Sequence, residues 1–100
     1  MNLRRDRIDV IIDLLELVEK RKNVRFTQIM YGANLGFSST KAYLKFFVDK
    51  GIIEIKSQNP RIYTITEKGK KLLNLLKEVK KTLKIMSISS ISAELKEASK

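Results

Sequence analysis

One hundred residues carry 21 Lys and Arg against 11 Asp and Glu, a formal net charge of +10, with 43% apolar residues and neither cysteine nor histidine. That length suits a single domain with one core and one appended element, and the charge excess calls for a polyanionic partner, nucleic acid ahead of an acidic membrane surface. Without thiolate or imidazole, disulfides, thiol nucleophiles and nearly every zinc geometry are excluded, so no cofactor or metal is expected.

The first apolar run, Ile8 to Leu17, is cut by Asp9, Asp13 and Glu16, unlike the core of a signal peptide. Nothing approaches the roughly 20 apolar residues of a membrane span. The chain is expected to be cytoplasmic, with no membrane partner. Residues 3 to about 22 read as a helix, because Ile8, Ile11, Ile12, Leu15 and Val18 recur at three- and four-residue spacing. Val10, Leu14 and Leu17 widen the apolar surface, so either the chain wraps this helix itself or a second subunit covers part of it. Asp6, Asp9, Asp13 and Glu16 form an acidic stripe. With no nucleophile, histidine or metal ligand beside it, a solvated or salt-bridged face outweighs paired catalytic carboxylates.

Lys20-Arg21-Lys22-Asn23 closes this helix with cations at the negative end of its dipole. Val24-Arg25-Phe26 is long enough only for a scrap of strand. Thr27 is a candidate N-cap for a short second helix reaching about Asn34. Leu35-Gly36-Phe37 is the expected turn, and Ser38 or Ser39 the expected cap of a third helix. That helix should run to Lys50 and stop at Gly51, a residue suited to a left-handed C-terminal position.

Ile52 to Lys56 and Arg61 to Ile65 are rich in β-branched residues, and Ser57-Gln58-Asn59-Pro60 between them is turn material. They predict a β-hairpin with a polar, basic tip. Thr66 caps the last helix. Along it, Leu72, Leu76, Val79, Leu83 and Met86 alternate spacings of four and three, the seam of a coiled coil. Leu73 and Leu75 flank the seam near the start, and Lys70, Lys77 and Lys84 repeat on the outside. The Ser-Ile run after Met86 is poor helix material, so 87–100 reads as a weaker continuation or a frayed end.

Helix, helix, tight turn, helix, hairpin, long helix is the order of a winged helix-turn-helix, an α+β fold that is mostly α. Residues 1–66 are expected to form the DNA-binding unit and 67–100 the dimerisation helix. The third helix would present its first turn to DNA, where unpaired N–H groups and the positive dipole end meet phosphate. Thr40, Leu44 and Phe47 face inward on helical spacing, while Ser38, Lys41, Ala42 and Lys45 share the opposite side and Ser39 lies in the first turn. That outward face has two ammonium groups but no Arg, Asn or Gln, the side chains that most often read base edges bidentately. Charge-dominated binding with weak base discrimination follows. Lys56 and Arg61 of the wing would approach the backbone or minor groove. Tyr43 and Phe46 read as packing on the flank, and Tyr31 and Tyr63 as core.

"IMYGANL" at Ile29–Leu35, with "DKGIIE" at Asp49–Glu54, "YTIT" at Tyr63–Thr66 and "KGKKLL" at Lys68–Leu73, resembles the archaeal ten-a family of small Sulfolobus DNA-binding proteins. The first string is the specific one; the others mark winged helices at large. The resemblance covers about residues 8–86. With no nucleophile–base pair or metal cluster in the sequence, neither an enzyme nor a small-molecule substrate is expected; the resemblance implies a chromatin-type protein, nucleoid-associated, that binds double-stranded DNA. It also implies a homodimer paired through an antiparallel coiled coil of the last helices, along Leu72, Leu76, Val79, Leu83 and Met86. The "GFSST" opening of the third helix departs from the family pattern, so no base preference carries over. Within this reading an architectural role and transcription regulation both stand, and a protein-interaction module is the competing function.

Overall fold

The computed structural model describes residues 6–86. The expected helix start at residue 3 and the reading of 87–100 lie outside them. The first helix, α1 (Arg7–Arg21), begins where Asp6 caps it: Oδ1 of Asp6 accepts from the Asp9 N–H at 2.8 Å, and Oδ2 of Asp9 accepts from the Asp6 N–H at 3.4 Å. The two orphan donors are satisfied reciprocally, as in a capping box. Val10, Ile12, Leu14, Leu15 and Val18 are all buried, and Ile8, Ile11 and Leu17 pack half-buried beside them. The chain itself therefore covers most of the wide apolar surface of α1.

Val24 exchanges both backbone hydrogen bonds with Tyr63, at 3.1 and 2.8 Å, so the scrap of strand is a single β-bridge. This bridge holds the chain extended through Arg25, and α2 (Phe26–Gly32) starts directly after it. Thr27 is consequently an exposed residue inside α2 and not its cap; Arg25 takes that place, its N–H bonded to Oε1 of Gln28 at 2.9 Å. Helix α2 also ends earlier than Asn34. Gly32 packs against Leu17, and Asn34 adopts a left-handed φ of 56° that reverses the chain.

Helix α3 (Phe37–Asp49) is capped by Gly36, not by Ser38 or Ser39. The N–H and the hydroxyl of Thr40 both donate to the Gly36 carbonyl, at 3.0 and 2.8 Å. That fixes the first helical bond one turn before Thr40, and the serines fall within the opening turn. Thr40, Leu44 and Phe47 are buried as their spacing implied, and Gly51 ends the helix with a φ of 75°.

Strands β1 (Ile53–Gln58) and β2 (Arg61–Ile65) form an antiparallel hairpin, a two-stranded sheet. Strand β1 runs on to Gln58, further toward the tip than expected, while β2 keeps its expected bounds. Ile55 pairs with Tyr63 and Ser57 with Ile62, which leaves Lys56 as an extra, bulged residue. Thr66 then caps α4 (Glu67–Met86): its Oγ1 accepts from the Gly69 N–H at 3.0 Å and lies 2.6 and 2.9 Å from the carbonyls of Gly51 and Ile52, to which it donates. The fit is tight. A Cβ on Gly69 would stand 2.2 Å from the Ile52 carbonyl oxygen.

Helix α4 packs on α1 and β2. Leu73 is fully buried and Leu72 and Leu76 are half-buried against the core, while Leu75, Val79 and Leu83 are exposed. The acidic stripe of α1 meets α4: Glu16 pairs with Lys77 at 3.0 Å, and Asp9 pairs with Lys80. Tyr63 belongs to the core, but Tyr31 is 77% exposed. Ile29 of α2 and Ala33, its C-cap, take the inward side, and two residues turn a helix by about 200°, so Tyr31 must face away.

Candidate nucleic-acid interface

The hairpin lies against α3 and leaves a groove of about 580 Å³ between them. Lys41 and Lys45 of α3 and Arg61 of the wing line this groove, three cations from two elements on an apolar floor that includes Leu44 and Ile55. Lys41 and Lys45 are four residues apart, so they stand one above the other on the helix. At the open end of α3, the N–H groups of Phe37, Ser38 and Ser39 precede the first helical donor, the N–H of Thr40, and the side chains of Ser38 and Ser39 are exposed. Such a terminus favours an anion through both its donors and its dipole.

The remaining predicted residues are spread around this centre. Ser39 and Ala42 line a second concavity, of about 460 Å³, with Arg7, Tyr43 and Phe46 on the α1 side of α3. Lys56 is exposed at the bulge of β1 and does not line the groove. Ser38, Lys41, Ala42 and Lys45 are all exposed, as their common face required. Tyr43 stacks on Phe47 with ring centroids 6.1 Å apart, whereas Phe46 is 51% exposed beneath the Lys50 ammonium. Phe46 packs from the flank, its ring edge-on against that of Phe47 with centroids 5.7 Å apart, because Phe47 takes the inward position.

Two residues of the groove escaped the sequence reading. Asp49 lies 3.2 Å from Lys45 as an i, i+4 pair, both side chains largely exposed. A solvated pair of this kind contributes only about 0.2–1 kcal/mol, so Lys45 is easily released. Its spacing was visible in the sequence as a charge pair. Phe37 lines the same groove, 62% exposed, with its ring against Phe26 at 5.1 Å. Assigning it to the turn hid it; the true cap at Gly36 makes it the first helical residue. Among the described residues no group of three or more acidic residues is placed to hold a metal ion, and no helix is long and apolar enough to cross a membrane.

Residues 4–84 match the family described as winged helix-turn-helix. Two uncharacterized proteins of Methanocaldococcus jannaschii are similar. MJ0290 is 35% identical over 78 residues, which are 78% of this chain and 35% of that protein. MJ0287 is 32% identical over 76 residues, 76% of this chain and 74% of that protein. The chain therefore spans about a third of the length of the first of these relatives. Among solved structures, Sso10a-2, described as a DNA-binding protein from Sulfolobus solfataricus, superposes with a TM-score of 0.74 at 31% identity, covering 91% of this chain and 96% of that one. A MarR family transcriptional regulator from Silicibacter pomeroyi superposes with a TM-score of 0.67 at 16% identity, covering 94% of this chain and 73% of that one, a likeness of fold alone. The chain belongs to the winged helix-turn-helix family, within the group of small Sulfolobus-type proteins that the "IMYGANL" string indicated and that Sso10a-2 represents.

Proposed function

We propose that this chain is a non-enzymatic, homodimeric binder of double-stranded DNA, seated on the nucleoid in the cytoplasm. Helix α3 enters the major groove by its first turn, and the wing follows the adjacent backbone. The observation that carries this reading is the convergence of Lys41, Lys45 and Arg61 on one groove at the reading face of α3. The similarity to Sso10a-2, itself described as DNA-binding, supports it. Because Ser38, Lys41, Ala42 and Lys45 offer no bidentate base reader, phosphate contacts dominate and affinity is broad in sequence. Lys56, on its bulge, adds a backbone contact at the edge of the footprint.

The dimer forms along the far part of α4, in a unit comprising 67–100, with two copies antiparallel. Leu72, Leu76, Val79, Leu83 and Met86 are its seam. Val79 and Leu83 are exposed in the single chain, and Leu75, on the same side, joins them. Leu72 and Leu76 serve both the core and the seam. Helix α4 has 20 residues, about 30 Å at 1.5 Å per residue, close to the roughly 34–36 Å of one DNA turn, so two heads can address successive major grooves. An architectural chromatin role agrees with this broad, charge-led contact better than control of one operator.

Fluorescence-anisotropy titration of unrelated duplexes tests the reading. Similar affinities on all of them support the architectural role. One site preferred by about 10³-fold or more indicates a regulator. Lys41→Glu combined with Lys45→Glu abolishes binding in a folded protein if α3 is the reading helix. Undiminished binding in that variant transfers the function to protein assembly.

A further inference from the structure

We infer that Phe37 contacts the C5-methyl group of thymine in the major groove, giving this protein a preference for thymine at the base step under the start of α3. This rests on the DNA-binding reading above. Phe37 is the first residue of α3, in the turn that enters the groove in helix-turn-helix docking. Its ring is 62% exposed, yet it is held: Phe26 supports it with centroids 5.1 Å apart and planes tilted by 53°. It shares one wall with Lys41 and Lys45, at i+4 and i+8, and faces Arg61 across the same groove. With those three cations on phosphate, the ring is directed at the base edges.

The chemistry names the base. The major-groove edge of a base pair presents donors, acceptors and one apolar group, the thymine methyl. An aromatic ring satisfies no donor or acceptor there, and the outward residues Ser38, Lys41, Ala42 and Lys45 include no bidentate reader to compete with it. Burying one methyl on the ring corresponds to roughly fourfold in affinity per head.

The test compares a mixed-sequence duplex with the same duplex carrying deoxyuridine for every thymine, which removes the methyl and keeps charge and pairing. Wild-type protein is expected to bind the uridine duplex roughly fourfold or more weakly, and 5-methylcytosine in place of cytosine should recover affinity. Phe37→Ala, at an exposed position, should bind both duplexes equally, while Phe37→Leu keeps a reduced preference. Equal wild-type affinity for both duplexes, or an undiminished thymine preference in Phe37→Ala, overturns the role of Phe37 and leaves the DNA-binding reading intact. Absence of binding to any duplex at low salt overturns both.

Discussion

Asp49 is the one carboxylate lining a groove whose other charged residues, Lys41, Lys45 and Arg61, are cations, and it holds Lys45 at 3.2 Å. Docked phosphate would repel it. Asp49→Asn should therefore raise duplex affinity several-fold at low salt, measured by anisotropy, and an unchanged or weaker affinity would remove Lys45 from the interface. Lys41→Ala should weaken binding to all sequences alike and lower the slope of log K against log salt by about one. Two other residues act on stability alone. Thr66 joins the end of α3 to the start of α4 through one hydroxyl that accepts from Gly69 and donates to Gly51 and Ile52. Thr66→Val keeps the shape but loses the cap, at a cost of about 1–2 kcal/mol. Gly69→Ala places a methyl against a backbone carbonyl that cannot turn aside, and should cost about 1–3 kcal/mol. Urea midpoints at constant m-value report both.

Among the elements, α4 has two jobs separated along its length. Its first turns complete the core through Leu73, so Leu73→Ala should cost about 2–5 kcal/mol, as a cavity does. Its later turns carry Val79 and Leu83, which the single chain leaves exposed. Val79→Glu with Leu83→Glu should yield a monomer by sedimentation equilibrium with the helical circular-dichroism signal retained. A double variant that still sediments as a dimer would place the interface elsewhere. The ion pairs Glu16–Lys77 and Asp9–Lys80 lie across α1 and α4. Half-exposed, each contributes little to stability, on the order of 0.2–1 kcal/mol, but together they fix how α4 sits on the head.

At the scale of the whole molecule, charge is the main variable. If a dimer neutralises roughly 6–10 phosphates, counterion release makes affinity fall about 10³–10⁵-fold between 50 and 200 mM salt. A flat salt response would rule out the charge-led mechanism, whatever the contacts of single residues. In the proposed dimer, two heads on one pair of α4 helices would make the separation of contacts on DNA a property of α4 rather than of either head.

Much of this molecule was legible in its sequence, and for local reasons. Hydrophobic period, β-branched runs, Thr66 and Gly51 are read by the backbone within a few residues, so the order of elements, the inward face of α3 and the shared face of Lys41 and Lys45 could be taken from spacing. What the spacing left open required the third dimension. Whether Ser38 or Gly36 caps α3 depended on where Thr40 sends its hydroxyl, and that moved Phe37 from a turn into the groove. Thr27 lost its expected role to a bridge with Tyr63, thirty-nine residues beyond Val24. Tyr31 is apolar enough for a core, yet Ile29 and Ala33 already filled it. Sequence alone determined which faces are apolar and which are charged, because periodicity is a property of single elements. Which apolar face is spent on the core, and which cations meet in one groove, was decided only when the elements packed, because a core has room for one face of each.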